Sequence, residues 1–568
     1  MIDEILQSKL KNRLIKWLDT RNFFYPGTKI LFKIIRLIFN LKGVQIFSIG
    51  QSHLDACWRW VRKETIRKNY ITFSNALEHM EMFPFFKFSC SSPQYFEWME
   101  IYFPKMFKKI QQRVNEGRIE LLGGMWIEPD INLINGESIV RQRLYGQRYY
   151  LSKFGKVSEV AWLSDTFGFN WQLPQILEKS GGKYFYTNKM CWNAENEFPF
   201  SIFYWKSPDG SKILTYSFPY SLNLFVQDPN LGGFKRLCSF LSKADLEFNY
   251  DFDFKKINKM KTKQHVKELG LVYGIGDGGG GPLLEEIIIL KDLMRQGQNK
   301  FITALDYFKI LEKYENYPIW NDELYLEFHR GVYTTHAWIK DANRRMEIKL
   351  KNLEIMSVFS NFFGSKYPNV ENLWRLLLFN QFHDILPGSS IPEVYEESKE
   401  DFKKIRAKAN KLEKDSLEIL IKNINTTNFE NPVVIFNTLN WDRTGIVKVP
   451  INEENNTILD SQNNELITQM IKEKDKKFLL FNASIPSLGY SVFNLIKSKA
   501  SSDIQTDLVI RDEKNFISLE NRYIIVRINK IHGYISSIFH KILDKEIISG
   551  KANWIQMYKD DLPKDSAW

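Results

Sequence analysis

Cysteine is scarce. Four thiols, Cys57, Cys90, Cys191 and Cys238, serve 568 residues, and none stands in a CxxC spacing. That excludes a disulfide framework, a zinc ribbon and a redox motif, and it suits a reducing compartment. Long hydrophobic runs are missing too. The most apolar stretch, 30–41 (ILFKIIRLIFNL), is short and interrupted by Lys33 and Arg36. It cannot span a bilayer and reads as an amphipathic helix packed on its own domain. The start, Met1-Ile2-Asp3-Glu4, lacks the basic and apolar regions of a secretory signal. A cytoplasmic location is therefore the expectation. There is no internal repeat and no low-complexity block. No basic run is interleaved with aromatics, so the formal charge of +11 is a scatter of lysines and does not point to a nucleic-acid partner.

What is present is ample apolar content, 44% of residues, in a chain too long for one core. From 44 to about 310, short apolar runs alternate with helical patterns. Strands are expected at 44–49, 119–122, 160–163, 184–187 and 271–273, with helices at 174–179 and after Pro282. This alternation implies a largely parallel sheet or barrel, in which chemistry gathers where strands end. Between about 335 and 422 the 3.6-residue spacing of Met346, Leu350, Leu353 and Met356 predicts a helical bundle, and 374–382 predicts another helix. After a polar linker, β runs begin at 433–436 and recur at 446–449, 478–481 and 523–528. Four regions follow: an N-terminal helical segment (1–42), an α/β, β/α barrel-like catalytic domain (43–315), a helical-bundle middle domain (316–424) and a partial β-sandwich-type domain (430–568).

Three polar constellations sit just past predicted strand ends. His53 and Asp55, two apart on an extended backbone, project to the same side, and imidazole with carboxylate suits a borderline divalent ion such as zinc. Alone the pair is a weak signal, and a hydrogen-bonded polar pair is its ordinary explanation. Asp165, in Trp162-Leu163-Ser164-Asp165-Thr166-Phe167-Gly168, needs a partner or an ion among aromatics, unless it caps the next helix. In 274–282 (GIGDGGGGP) glycines flank a single Asp277 and permit close approach to a ligand. No Lys-Ser or Lys-Thr follows, so this is not a P-loop. His383-Asp384 closes the apolar helix in NQFHDILPG, where a core histidine is the ordinary explanation.

Together these strings resemble glycoside hydrolase family 38, the α-mannosidases. They are GQSHLDACWRW (50–60), GGMWIEPD (123–130), SDTFGFNWQLPQIL (164–177), GDGGGGP (276–282), LEFHRGVYTTHA (326–337) and NQFHDILPG (380–388), in the family's order. Weaker likeness continues through 433–445 and 519–528. The resemblance implies one Zn²⁺ held by His53, Asp55, Asp165 and His383, with Asp165 also the nucleophile of a retaining reaction on terminal α-mannosidic bonds of a mannose-containing oligosaccharide. The acid/base role falls to Asp277, with Asp384 its rival. Asp384 otherwise matches the family residue that bonds sugar hydroxyls, and Trp58 matches the aromatic floor beneath the ring.

Two departures stand out. Gln51 replaces a frequent histidine that is not a ligand, and the chain stops inside the family's β-rich region. A second polypeptide, a homo-oligomer, or a disabled glycan-binding fragment are the readings that shortening raises. A zinc-dependent carbohydrate deacetylase is the rival enzyme.

Overall fold

The computed structural model describes residues 43–193, 195–218, 264–453, 456–497 and 507–559, with Lys29 besides. The expected amphipathic stretch 30–41, Cys238 and the closing residues 560–568 lie outside the described residues. Among the described residues no helix is long and apolar enough to cross a membrane. The chain divides into two compact units, one built from residues up to 357 and from 366 to 415, the other from 358–365 and from 416 to 563.

In the first unit β1 (Gln45–Gly50) leads to helix α1 (Arg62–Met82). β2 (Phe88–Ser91) is followed by α2 (Pro93–Tyr102) and α3 (Pro104–Asn115), and β3 (Ile119–Leu122) by α4 (Gly136–Phe154). β4 (Val160–Trp162), α5 (Leu173–Lys179) and β5 (Tyr184–Thr187) come next, then β6 (Ile202–Lys206), β7 (Lys212–Ser217) and β8 (Glu268–Tyr273). α6 (Leu284–Arg295), β9 (Asn299–Phe301), α7 (Ala304–Leu311) and β10 (Ile319–Trp320) complete the α/β part. β1 lies between β8 and β9, parallel to both, while β2 pairs β3 in parallel. The largest sheet runs β10-β6-β7-β5-β4.

The sequence leads one to expect a parallel sheet, and most pairs are parallel. β6 and β7 are the exception, an antiparallel hairpin turned at Pro208-Asp209-Gly210. Such a turn needs only a few residues, whereas a parallel return needs a crossover. β5, Tyr-Phe-Tyr-Thr, is buried at every position, the continuous apolar run of a strand covered on both faces. α4 starts where the Asn135 side chain accepts from Ser138 N–H and ends at Gly155 in the left-handed region, φ 66°.

Helices α8 (Ala337–Asn361), α9 (Glu371–Phe379) and α10 (Pro392–Lys422) follow. α9 stops at Phe379, three residues short of the apolar run. Asp130 N–H donates to Gln381 O and His383 N–H to Glu128 O, so the chain leaves the helix to bridge Pro129 to Phe382. Trp374, Phe382 and Leu386 thereby join Trp126, Leu163 and Phe167 in one buried cluster.

The second unit is antiparallel. One sheet orders β11 (Pro432–Phe436), β16 (Tyr490–Lys497) and β13 (Asn456–Leu459); another orders β12 (Arg443–Ile451), β15 (Lys476–Ile485) and β14 (Thr468–Glu473). Leu479, Phe481, Ala483 and Ile485 alternate along β15 and meet Phe493 and Ile458 from the other sheet, a sandwich core. The strands from β17 (Val509–Asp512) to β21 (Lys545–Glu546) form a further antiparallel sheet.

Candidate active site

The chain leaves β1 at Gly50 and enters an extended stretch in which His53 and Asp55 do project to one side. His53 Nε2 lies 3.1 Å from Asp55 Oδ1. His383 arrives from the end of α9, its Nε2 3.5 Å from the same Asp55 oxygen and 3.7 Å from Asp165 Oδ2. The two imidazoles stack with centroids 5.5 Å apart. Donor atoms of His53, Asp55 and His383 all fall within 4.8 Å of one another. Asp165 stands beside them on the loop after β4.

This donor set fits a small divalent ion. N or O ligands about 2.1 Å from a tetrahedral zinc lie roughly 3.4 Å from each other. The separations of 3.1, 3.5 and 3.7 Å are close to that, while Asp165 approaches His383 from outside the set of three whose donor atoms all fall within 4.8 Å. His383 Nε2 is buried without a hydrogen-bond partner, because 3.5 Å to Asp55 is too long for a made bond. A buried nitrogen left bare among carboxylates is where a cation belongs.

Side-chain exposure climbs from His383 (0%) through Asp55 (3%) and His53 (6%) to Asp165 (17%). The cluster is thus a well whose mouth is Asp165. The electrostatics agree. Burial alone would strip protons from the histidines, yet Glu128, Asp55 and Asp165 raise His53 well above its ordinary value. Against the same burial, Asp55, Glu128 and Asp384 push His383 up to about 9. Acid groups gathered around two buried imidazoles form a site short of positive charge. Burial would also raise Asp165, but Lys189 and the two histidines hold it below the usual carboxylate range. Burial and the charge of Asp55 drive Asp384 upward, while its Oδ1 accepts from Ser389 Oγ at 2.6 Å.

Asp277 occupies the loop after β8. The glycines there are tightly tied: Asp55 N–H donates to Asp277 O, Gly279 N–H to His53 O, Gly280 N–H to Thr72 Oγ1 and Gly281 N–H to Ser52 Oγ. A Cβ on Gly274 would lie 1.8 Å from Gln51 O, so only glycine fits at that crossing. Asp277 itself takes φ 53°, a left-handed conformation open to Asp. Loss of bulk water, then Asp55 and Asp165, raise its carboxyl toward about 6. Its side chain nevertheless keeps contact with solvent. Trp58 is half-buried and not a core residue, with the Arg59 guanidinium 4.2 Å above its ring.

Two residues escaped the sequence reading. Lys189, just past β5, is 1% exposed and donates from Nζ to Asp165 Oδ1 at 2.7 Å, packed 3.8 Å over Trp192. Its only signal was a lysine at a strand end. Glu128 is 3% exposed and accepts from Asp165 N–H at 2.7 Å; it lay in plain view within GGMWIEPD without a role.

Comparison with known proteins bears on the family and the fold. The glycosyl hydrolases family 38 N-terminal domain matches residues 43–323 and the alpha mannosidase middle domain matches 327–420. Alpha-mannosidase G of Dictyostelium discoideum is 31% identical over 89% of this chain and 47% of its own length; human alpha-mannosidase 2C1 is 35% identical over 71% and 37%. The chain thus spans under half the length of these curated relatives. An alpha-mannosidase structure from Enterococcus faecalis V583 shares the fold, with TM-score 0.68 at 19% identity over 89% of this chain and 61% of that one. Family models in series, relatives above 30% identity and a common fold lead to one conclusion: the chain belongs to glycosyl hydrolase family 38, the α-mannosidases.

Proposed function

We propose that the protein is a metal-dependent retaining α-mannosidase, with His53, Asp55, Asp165 and His383 as the ligands of one zinc ion. The observation that carries this reading is the bare Nε2 of His383, within 3.7 Å of both Asp55 and Asp165 at the floor of a well that opens at Asp165. When bound, the ion would supply Lewis-acid binding for vicinal sugar hydroxyls.

The chain's own groups do the rest. Asp165, kept ionised by Lys189, attacks the anomeric carbon and forms a glycosyl ester as the bond to the leaving oxygen breaks. Asp277, its carboxyl raised, gives its proton to that oxygen. It then takes a proton from the water that cleaves the ester, so Asp165 leaves as carboxylate and configuration is retained. Asp384 and Trp58 bind and orient the sugar, the first by hydrogen bonds and the second by stacking.

The substrate class is a terminal α-mannoside of an oligosaccharide. A cytoplasmic location belongs to the same proposal, supported by Cys57, Cys90 and Cys191 being free thiols. The test is hydrolysis of an aryl α-mannoside before chelation, after chelation and after zinc add-back. Activity should vanish and return. Hydrolysis indifferent to a chelator that removes all bound metal would overturn the metal-dependent reading.

A further inference from the structure

The motif Gly123-Gly124-Met125-Trp126-Ile127-Glu128-Pro129-Asp130 has no part in the chemistry above, yet its glutamate touches three of the four proposed ligands. The Oε1 atom of Glu128 accepts from Asp165 N–H at 2.7 Å, and Oε2 lies 3.4 Å from His53 Nδ1. The main-chain oxygen of the same residue accepts from His383 N–H at 3.2 Å and faces His383 Nδ1 at 3.1 Å.

We propose that Glu128 is the positioning residue of the metal site, setting the tautomer of both histidines and the seat of Asp165 from one point. The proposal rests on the metal-dependent reading above. A carbonyl oxygen can only accept, so His383 must carry its proton on Nδ1, which leaves the Nε2 lone pair bare and directed at Asp55 and Asp165. The same logic holds for His53. Nδ1 of His53 faces Ser164 Oγ at 3.1 Å and the Glu128 carboxylate at 3.4 Å, both able to accept a hydrogen bond from that edge, and Nε2 is turned to Asp55. A ligand imidazole whose far N–H is held by an acceptor has fixed ring orientation and greater basicity.

Glu128 can serve all three because of where it stands. It leaves the loop after β3, and Pro129 bridges to Phe382, so the end of α9 is carried to the strand ends together with His383. Remove the carboxylate, and the Nδ1 edge of His53 loses an acceptor that cannot donate, while Ser164 beside it is a hydroxyl that can donate as well as accept. The wrong tautomer, protonated on Nε2, then competes with metal binding.

The experiment compares wild type with Glu128→Gln in the full chain, stripped of metal and titrated with zinc against a chromophoric chelator. Cobalt(II) substitution gives a visible spectrum of the ligand field, and the thermal midpoint of the metal-free protein reports folding. Loss of an outer-shell partner costs about 10–100-fold in metal affinity. We expect that loss for Glu128→Gln, with altered cobalt bands and a metal-free midpoint close to wild type. Zinc affinity within about twofold of wild type and a superimposable cobalt spectrum overturn the proposal. So does an affinity loss matched by collapse of the metal-free midpoint, which would assign Glu128 to the fold. Should Glu128→Gln not fold, Glu128→Asp decides, since its shortened carboxylate must also weaken zinc, and wild-type affinity there overturns the idea. Failure of wild type to bind zinc would sink the metal reading itself, a different result from equal binding by both proteins.

Discussion

Replacing Lys189 by Met removes an ammonium 2.7 Å from Asp165 Oδ1, in a pair whose side chains are only 1% and 17% exposed. Deleting one partner of a buried pair costs about 3–5 kcal/mol, because the remaining charge is desolvated without compensation. The partial exposure of Asp165 puts the loss near the lower end, about 3 kcal/mol. At roughly 2 °C per kcal/mol for a large unit, the metal-free midpoint should fall by about 6 °C. A divalent ion beside Asp165 would supply the missing positive charge, so in zinc-loaded protein the fall should shrink to about 2 °C or less.

The sign with pH follows from the same pair. Lys189 holds Asp165 below its ordinary value of 3.8 against the pull of burial. A depressed carboxylate stabilises the fold above that value and loses this as pH falls through its lowered folded value. The deficit of Lys189→Met should therefore be full near pH 7 and shrink as pH falls below 3.8 toward the lowered folded value of Asp165. The assay is scanning calorimetry of wild type and Lys189→Met, each with chelator and with zinc. A deficit that zinc leaves unchanged, or deepens, would mean that Asp165 and the ion do not share a site.

Four further outcomes are expected. Asp165→Asn should cut turnover of an aryl α-mannoside by on the order of 10³-fold or more, since an amide cannot form the glycosyl ester; near-normal kcat removes it as nucleophile. Asp277→Asn should spare activated aryl leaving groups and fail on poor ones, whereas equal losses on both speak against the acid role. His383→Ala should weaken zinc in a chelator competition and lower metal content by mass spectrometry below one ion per chain; unchanged stoichiometry counts against His383 as ligand. Gly274→Ala places a methyl group 1.8 Å from Gln51 O. It should displace the Asp277 loop and abolish activity or soluble expression, and full activity would show that the crossing is not required.

Much of the architecture was legible in the chain. β3 and β5 fall on the residues that their apolar runs mark, and the helix after Pro282 begins at Leu284, because local pattern and burial agree there. The antiparallel β6–β7 hairpin went unread although its turn, Pro208-Asp209-Gly210, is a local signal, since so short a connection only lets the chain return antiparallel. Nor was the early stop of α9, where apolar residues run on to Phe382 but pairing with 128–130 overrides helix propensity.

The sequence by itself determined which chemistry was available: imidazoles and carboxylates at strand ends, a glycine loop around Asp277, and motifs in the order of one family. Only the tertiary structure decided that His53 and His383, 330 positions apart, stack at 5.5 Å. It alone revealed that Lys189 and Glu128 attend the same Asp165. A ligand set and the groups that tune it depend on distances of 3–4 Å in a low-dielectric well, and spacing along a chain does not encode those distances until the core has closed.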